Sequence, residues 1–275
     1  LVSFPNCKIN LGLRILRKRE DGFHDLETAF YPVAIQDALE IVRNPSPGAE
    51  GVDLRVTGLA VDGPPENNIC VKAWHLLKKD FSELPPVIMH LHKLIPSGAG
   101  LGGGSADGAF TLLALDKKFR LGLSPEALLS YALSLGSDCP FFILNKPCLA
   151  ASRGEEMEPI PLDLSPYQLL IVNPRIPVST AWAFSQIRPS ADGPSVRQAL
   201  LQPISHWKDS LVNDFEPAVF AAYPQIAQIK QTLYAHGALY ASMSGTGSTV
   251  YGIFEKENVP TMNFPEDYFV KALNH

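Results

Sequence analysis

Pro96-Ser97-Gly98-Ala99-Gly100-Leu101-Gly102-Gly103-Gly104-Ser105-Ala106 is the stretch on which the reading of this chain turns. Before it, Val87 to Ile95 has the apolar pattern of a strand; after it, Ser105 to Lys117 reads as a helix. Closely spaced glycines let a backbone approach an anion and aim successive N–H groups at it. The helix that follows presents its positive end to the same place. Ser105 adds a hydroxyl for a phosphate oxygen or for Mg²⁺. A merely flexible connection does not call for so many glycines at a strand-to-helix junction, so the stretch predicts a phosphate site.

Two common phosphate motifs compete for it. Gly98 and Gly103 have the spacing of Gly-x-x-x-x-Gly, but Gly104 stands where a P-loop requires lysine. Gly98, Gly100 and Gly103 also fit Gly-x-Gly-x-x-Gly, the dinucleotide fingerprint. That fold needs an acidic residue about 20 positions on, at the end of a second parallel strand. Gly122-Leu123 occupies that place, ahead of another helix, which argues against NAD.

Outward from the loop, Ile9, Leu11, Leu13 and Ile15 alternate with Lys8, Asn10, Gly12 and Arg14, predicting a half-buried strand from Lys8 to Leu16. Asp21-Gly22 marks a hairpin turn. Strands are expected over about His24 to Val33 and Ala38 to Val42. Asn67 or Asn68 should cap a helix carrying Ile69, Cys70, Ala73, Leu76 and Leu77. Ser124-Pro125-Glu126 starts another helix, which ends near Gly136. Met157 to Asp163 reads as irregular, with a domain boundary near Ser152, and Tyr167 to Val172 as a strand. Ile187 to Val196 reads as an exposed loop. A helix from Pro224 to His236 stops at Gly237. Two strands, Ala238 to Met243 and Thr249 to Phe254, flank a second glycine cluster, Ser244 to Ser248. This order predicts an α+β protein rather than a regular βαβ alternation.

Bulk properties narrow the function. With 46% hydrophobic and 19% charged residues, the 275-residue chain can bury a core, and its length suits two modest domains. A net charge of −5 offers no basic face, so nucleic acid is not an expected partner. No apolar run is long enough to span a membrane. Leu1 to Pro5 lacks the build of a signal peptide. Cys7, Cys70, Cys139 and Cys148 are scattered without a Cys-x-x-Cys pair and read as reduced thiols. A cytoplasmic enzyme, monomer or homodimer, is the expectation. His90-x-His92 has metal-like spacing but no evident third ligand, so no metal is expected there.

Taken together, the motifs resemble those of the GHMP kinase superfamily, whose phosphate loop has the form Pro-x-x-x-Gly-Leu-Gly-x-x-Ser. The resemblance runs along the chain through Cys7-Lys8-Ile9-Asn10-Leu11, Asp21-Gly22-Phe23-His24, Asn68 and Leu135-Gly136-Ser137-Asp138-Cys139-Pro140-Phe141-Phe142. It continues through Asn173-Pro174 with Thr180 and Phe184, Asn213-Asp214-Phe215-Glu216-Pro217, and Met243-Ser244-Gly245-Thr246-Gly247. It implies a two-domain α+β fold. An N-terminal domain (1–152) would be like ribosomal protein S5 domain 2, and a C-terminal domain (153–275) ferredoxin-like, with the active site in the cleft between them.

The pattern is most similar to the branch acting in the non-mevalonate isoprenoid pathway. That implies ATP- and Mg²⁺-dependent phosphorylation of the 2-hydroxyl of 4-diphosphocytidyl-2-C-methyl-D-erythritol. By this resemblance Asp138 is the catalytic base and Lys8 its partner. The stretch from Pro96 to Ala106, with Asn68, binds ATP. Asn10, Phe23, His24, Thr180 and Phe184 bind the cytidyl substrate. Phe23 stands where many relatives have Tyr. Read without the other motifs, Asp138 is a helix cap, Lys8 a strand-end surface charge and Phe184 core, while for Asn68 the helix-cap reading is as good as the nucleotide contact. One departure from the family pattern is Ala106-Asp107-Gly108, where a poor helix former, Gly108, should soften the helix start. Another GHMP small-molecule kinase is the alternative, then a dinucleotide-dependent oxidoreductase.

Overall fold

Alternation and capping build most of the elements that carry the candidate residues. The structure is a computed structural model, and it describes residues 1–256 and 262–274. In chain order the elements are β1 (Val2–Ser3), β2 (Asn6–Lys18), β3 (His24–Gln36), β4 (Ala38–Arg43), β5 (Val52–Gly58), α1 (Ile69–Asp80), β6 (Val87–Lys93), α2 (Gly103–Phe119), α3 (Pro125–Leu135), α4 (Cys139–Leu144) and β7 (Cys148–Ala151). There follow β8 (Glu156–Pro159), β9 (Tyr167–Asn173), α5 (Thr180–Gln186), α6 (Val196–Leu200), α7 (Trp207–Ser210), α8 (Glu216–Ala222), α9 (Pro224–Ala235), β10 (Tyr240–Met243), β11 (Val250–Glu255) and β12 (Phe269–Asn274). The content is mixed α+β, as expected. Among the described residues the strands form three sheets, ordered β1-β4-β6-β5, β2-β3-β7-β8 and β10-β11-β9-β12. β5 and β6 pair in parallel.

The chain divides into two compact units, each made of several segments. Leu1–Lys8, Pro32–Ser97 and Gly102–Lys146 form one; Ile9–Tyr31, Gly98–Leu101 and Pro147–His275 form the other.

In the first unit, β6 alternates Val87, Met89 and Leu91 inward with His90 and His92 outward. The helices α1, α2, α3 and α4 pack on one another, and α2 also packs against β4 and β1. Asn68 caps α1 by accepting the Cys70 N–H at 2.9 Å, and Cys70, Val71, Ala73, Trp74 and Leu77 form its buried stripe. Ser124 caps α3, with Pro125 in its first turn. The expected softening at Gly108 does not occur: α2 runs unbroken from Gly103 to Phe119. There a Cβ would lie 2.7 Å from Ile69 Cγ1, so the glycine is what lets α1 approach. Three free cysteines, Cys7, Cys70 and Cys139, are buried in this unit, and burial pushes each thiol up to about 12.

In the second unit, α9 packs on β10 and β11. Its Ile226, Ile229 and Leu233 enter a core with Leu170, Val172 and Phe254. Full burial of such a side chain stabilises the fold by about 1.5–3 kcal/mol. Cys148 is the unit's buried free cysteine.

Two expectations are corrected here. β2 is not half-buried, because Lys8, Asn10 and Arg14 on its polar face are buried too. The stretch from Ile187 to Pro194 is an exposed loop, as expected, and its Ser190, Asp192 and Pro194 carbonyls hold the Arg14 guanidinium. The segment from Met157 is not wholly irregular, since Glu156–Pro159 pairs antiparallel with β7.

Candidate active site

The glycine-rich stretch begins where β6 ends and finishes in the first turn of α2. Gly98, Gly100 and Gly102 all have positive φ, at +63°, +77° and +69°. Gly102 is the N-cap residue of α2 and provides no side chain to cap it. The N–H groups of Gly103, Gly104 and Ser105 therefore have no partner within the helix, as in any first turn. At Gly98 and Gly104 a Cβ would meet no atom within 4 Å, so the backbone there is open to a ligand. At Gly102 a Cβ would lie 3.0–3.2 Å from Phe142 and Lys8. The absence of side chains thus serves access at some positions and close packing at another. The Ser105 hydroxyl neighbours the Cys139 thiol.

Lys8, from β2, reaches Asp138 in the same unit. Its Nζ lies 3.5 Å from Asp138 Oδ2, with the lysine side chain 5% and the aspartate side chain 36% exposed. Lys8 is therefore no strand-end surface charge. Asp138 stands at the N-cap position of α4, yet its side chain makes no capping hydrogen bond. A half-open carboxylate beside a buried ammonium is suited to accept a proton.

The first unit also holds a buried cluster that motif reading misses. Lys93 Nζ donates to Asp37 and, at 2.7 Å, to Asp107 Oδ2. Burial pushes the Asp107 carboxyl up, to about 7, against the pull of Lys93 and with the repulsion of Asp37. Burial opposes the charge on Lys93, but the two carboxylates prevail and hold it above its usual value. A signal was present in the sequence: Lys93 is in phase with the buried residues Val87, Met89 and Leu91.

In the second unit, the Ser244–Ser248 cluster holds Gly100. Ser244 Oγ donates to the Gly100 carbonyl at 2.7 Å and accepts the Asn10 N–H at 3.1 Å. A Cβ on Gly100 would run into the Ser244 carbonyl. Asn213 supports the cluster by donating to the carbonyls of Met243 at 2.7 Å and Gly245 at 2.9 Å. Asn10 Nδ2 donates to Thr28 Oγ1 at 3.0 Å.

The His24 ring stacks on Phe184 at 4.9 Å and 27°, and Phe184 meets Phe215 edge-on. Burial, then the charge of Lys18, lowers the His24 pKa. Thr180 Oγ1 lies 3.4 Å from Thr246 Oγ1. Phe23 is 51% exposed, with the Arg153 guanidinium 4.7 Å from its ring centroid. Arg153 is a contact that sequence reasoning did not single out. His90 and His92 both bond Thr57 Oγ1, at 3.0 and 2.9 Å. Among the described residues no three His, Cys, Asp or Glu side chains are grouped to hold a metal.

Comparison with known proteins gives these features a common frame. Residues 68–146 match the family model for the GHMP kinases N terminal domain, and residues 197–261 that for GHMP kinases C terminal. A 4-diphosphocytidyl-2-C-methyl-D-erythritol kinase of Bacteroides thetaiotaomicron is 51% identical, over 94% of this chain and 93% of its own. The chain belongs to the GHMP kinase family. As in other GHMP kinases, its activity is that of an ATP-dependent small-molecule kinase. Another relative, a kinase of the same name from Cytophaga hutchinsonii, is 46% identical over 92% of both chains. The crystal structure of a 4-(cytidine 5'-diphospho)-2C-methyl-D-erythritol kinase superposes with a TM-score of 0.78 at 30% identity, covering 92% of this chain and 90% of that one. A homoserine kinase from Cytophaga hutchinsonii shares the GHMP kinase fold at TM-score 0.68 and 16% identity, covering 98% of this chain and 94% of its own. Among the described residues no helix is long and apolar enough to cross a membrane.

Proposed function

We propose that this GHMP kinase transfers the γ-phosphoryl group of ATP to the 2-hydroxyl of 4-diphosphocytidyl-2-C-methyl-D-erythritol. The observation that carries the chemistry is the Lys8–Asp138 pair, whose carboxylate is left uncommitted by the helix it begins. The acceptor's identity rests on the relatives' names, supported by the aromatic surface of His24 and Phe184.

Asp138 takes the proton of the acceptor hydroxyl as its oxygen bonds to the γ-phosphorus and the bond to the bridging oxygen of ADP breaks. Lys8, beside Asp138, offsets charge on the transferred group. The backbone from Pro96 to Ala106 holds the phosphates, and its open positions at Gly98 and Gly104 fit such a ligand. Mg²⁺, with the Ser105 hydroxyl available to it, supplies charge neutralisation on the phosphates. Asn68, besides capping α1, contacts the nucleotide. Asn10, Phe23, His24, Thr180 and Phe184 bind the cytidyl acceptor, with Phe184 as a stacking face.

An ADP-release assay with Mg²⁺-ATP tests this reading. Turnover is expected with the cytidyl methylerythritol and not with homoserine, mevalonate or galactose. Turnover of one of those three alone would give the activity to another branch of the family.

A further inference from the structure

Lys93, Asp37 and Asp107 are 2%, 0% and 2% exposed, and the chemistry above uses none of them. Burying three charges is costly, and an apolar layer of similar volume often packs as well or better. What an apolar layer lacks is direction.

Here the directions are specific. Asp37 Oδ1 accepts the N–H groups of Leu94 at 2.6 Å and Ile95 at 2.9 Å, the two residues that lead from β6 into Pro96. Its other oxygen accepts from Lys93, whose Nζ also donates to Asp107 in α2. A Cβ on Gly103 would lie 3.5 Å from Lys93 Nζ, which places the ammonium against the first turn of α2. The cluster therefore grips the chain just before the glycine-rich stretch and the helix just after it. Between those grips, glycines at 98, 100 and 102 leave the backbone little intrinsic preference for one shape. A turn of that kind takes its geometry from its anchors, and pre-positioned donors are what hold an anionic ligand.

We propose that Asp37, Lys93 and Asp107 are positioning residues for ATP, fixing the entry and exit of the phosphate loop relative to each other. This rests on the reading that the loop binds the phosphates of ATP. The three touch neither substrate nor reacting atoms, so their effect belongs to nucleotide affinity.

The test compares wild type with Lys93→Met, Lys93→Arg and a charge-free triple variant, Asp37→Asn/Lys93→Met/Asp107→Leu. Binding of a non-hydrolysable Mg²⁺-ATP analogue is measured by calorimetry, alongside KM for ATP and for the cytidyl acceptor. Lys93→Met is expected to weaken nucleotide binding at least 10-fold and to change the acceptor KM less than 2-fold, with Lys93→Arg recovering part of the loss. The triple variant leaves no uncompensated buried charge, so it separates folding from positioning; it is expected to fold and still bind nucleotide weakly. Native nucleotide affinity in a folded triple variant would overturn the proposal. If neither Met variant folds, isosteric Asp107→Asn decides: a loss of 3-fold or more in nucleotide affinity supports the proposal, and an unchanged affinity overturns it. Failure of wild type to bind the analogue would instead overturn the phosphate-loop reading itself.

Discussion

At the scale of single residues, the catalytic reading depends on Asp138 being free to take a proton. Asp138→Asn keeps its shape and removes its basicity. Steady-state kinetics should show kcat falling about 10²- to 10⁴-fold, with ATP-analogue affinity within 2-fold of wild type. His24 gives a pH effect with a definite sign. Its folded-state pKa lies below the ordinary histidine value of 6.5, so between the two values the unfolded chain binds more protons. Stability from His24 is present above about 6.5 and is lost as pH falls through the folded pKa. Thermal midpoints measured between pH 5 and 8 should decline on the acid side, and less steeply in His24→Asn. Motif order made Lys8, Asp138 and His24 visible in the sequence. The partners of Asp107 were not, because nothing local links positions 37, 93 and 107; only the phase of Lys93 in β6 hinted at burial.

At the scale of elements, Gly108 separates intrinsic propensity from packing. Alanine is the better helix former by about 1 kcal/mol. Against that, its Cβ would lie 2.7 Å from Ile69 Cγ1 at the α1–α2 contact. Gly108→Ala should therefore lower the unfolding midpoint, and adding Ile69→Val should recover it; a rise in the single variant would show that α1 yields. The same balance of local and tertiary effects decides which elements can be read from sequence. The strands β2, β3, β4 and β6 alternate, and α1, α3 and α9 have caps or starts, so they are legible. The apolar run Cys139–Leu144 is too short for helical period to show. β5 does alternate, but it is largely exposed and lies in a polar, glycine-bearing stretch. β7 spans only Cys148–Ala151, and pairing with β3 and β8, not its composition, makes it a strand.

At the scale of the whole molecule, the α+β class followed from element order. What order could not reveal is that each compact unit gathers separated segments, since that is decided by long-range pairing. β2 shows this: its residues up to Lys8 belong to one unit and those from Ile9 to the other. The same strand thereby supplies Lys8 to the Asp138 pair and Asn10 to the Ser244 contact. A period-2 pattern shows that both polar residues share a face, and only the fold shows that the face is buried.

The buried cysteines have a use in the laboratory. A thiol held near 12 inside a packed core has almost no thiolate at neutral pH and gives a reagent no approach. In native buffer, an aromatic disulfide reagent should therefore colour only slowly. Under rising denaturant the thiols become clocks for opening. Cys7, Cys70 and Cys139 report on one unit and Cys148 on the other. Mass spectrometry of pulse-labelled protein should show a three-to-one split if the units open separately, and joint labelling if they open together. The chain thus carries its own reporters of cooperativity, with no probe to be engineered.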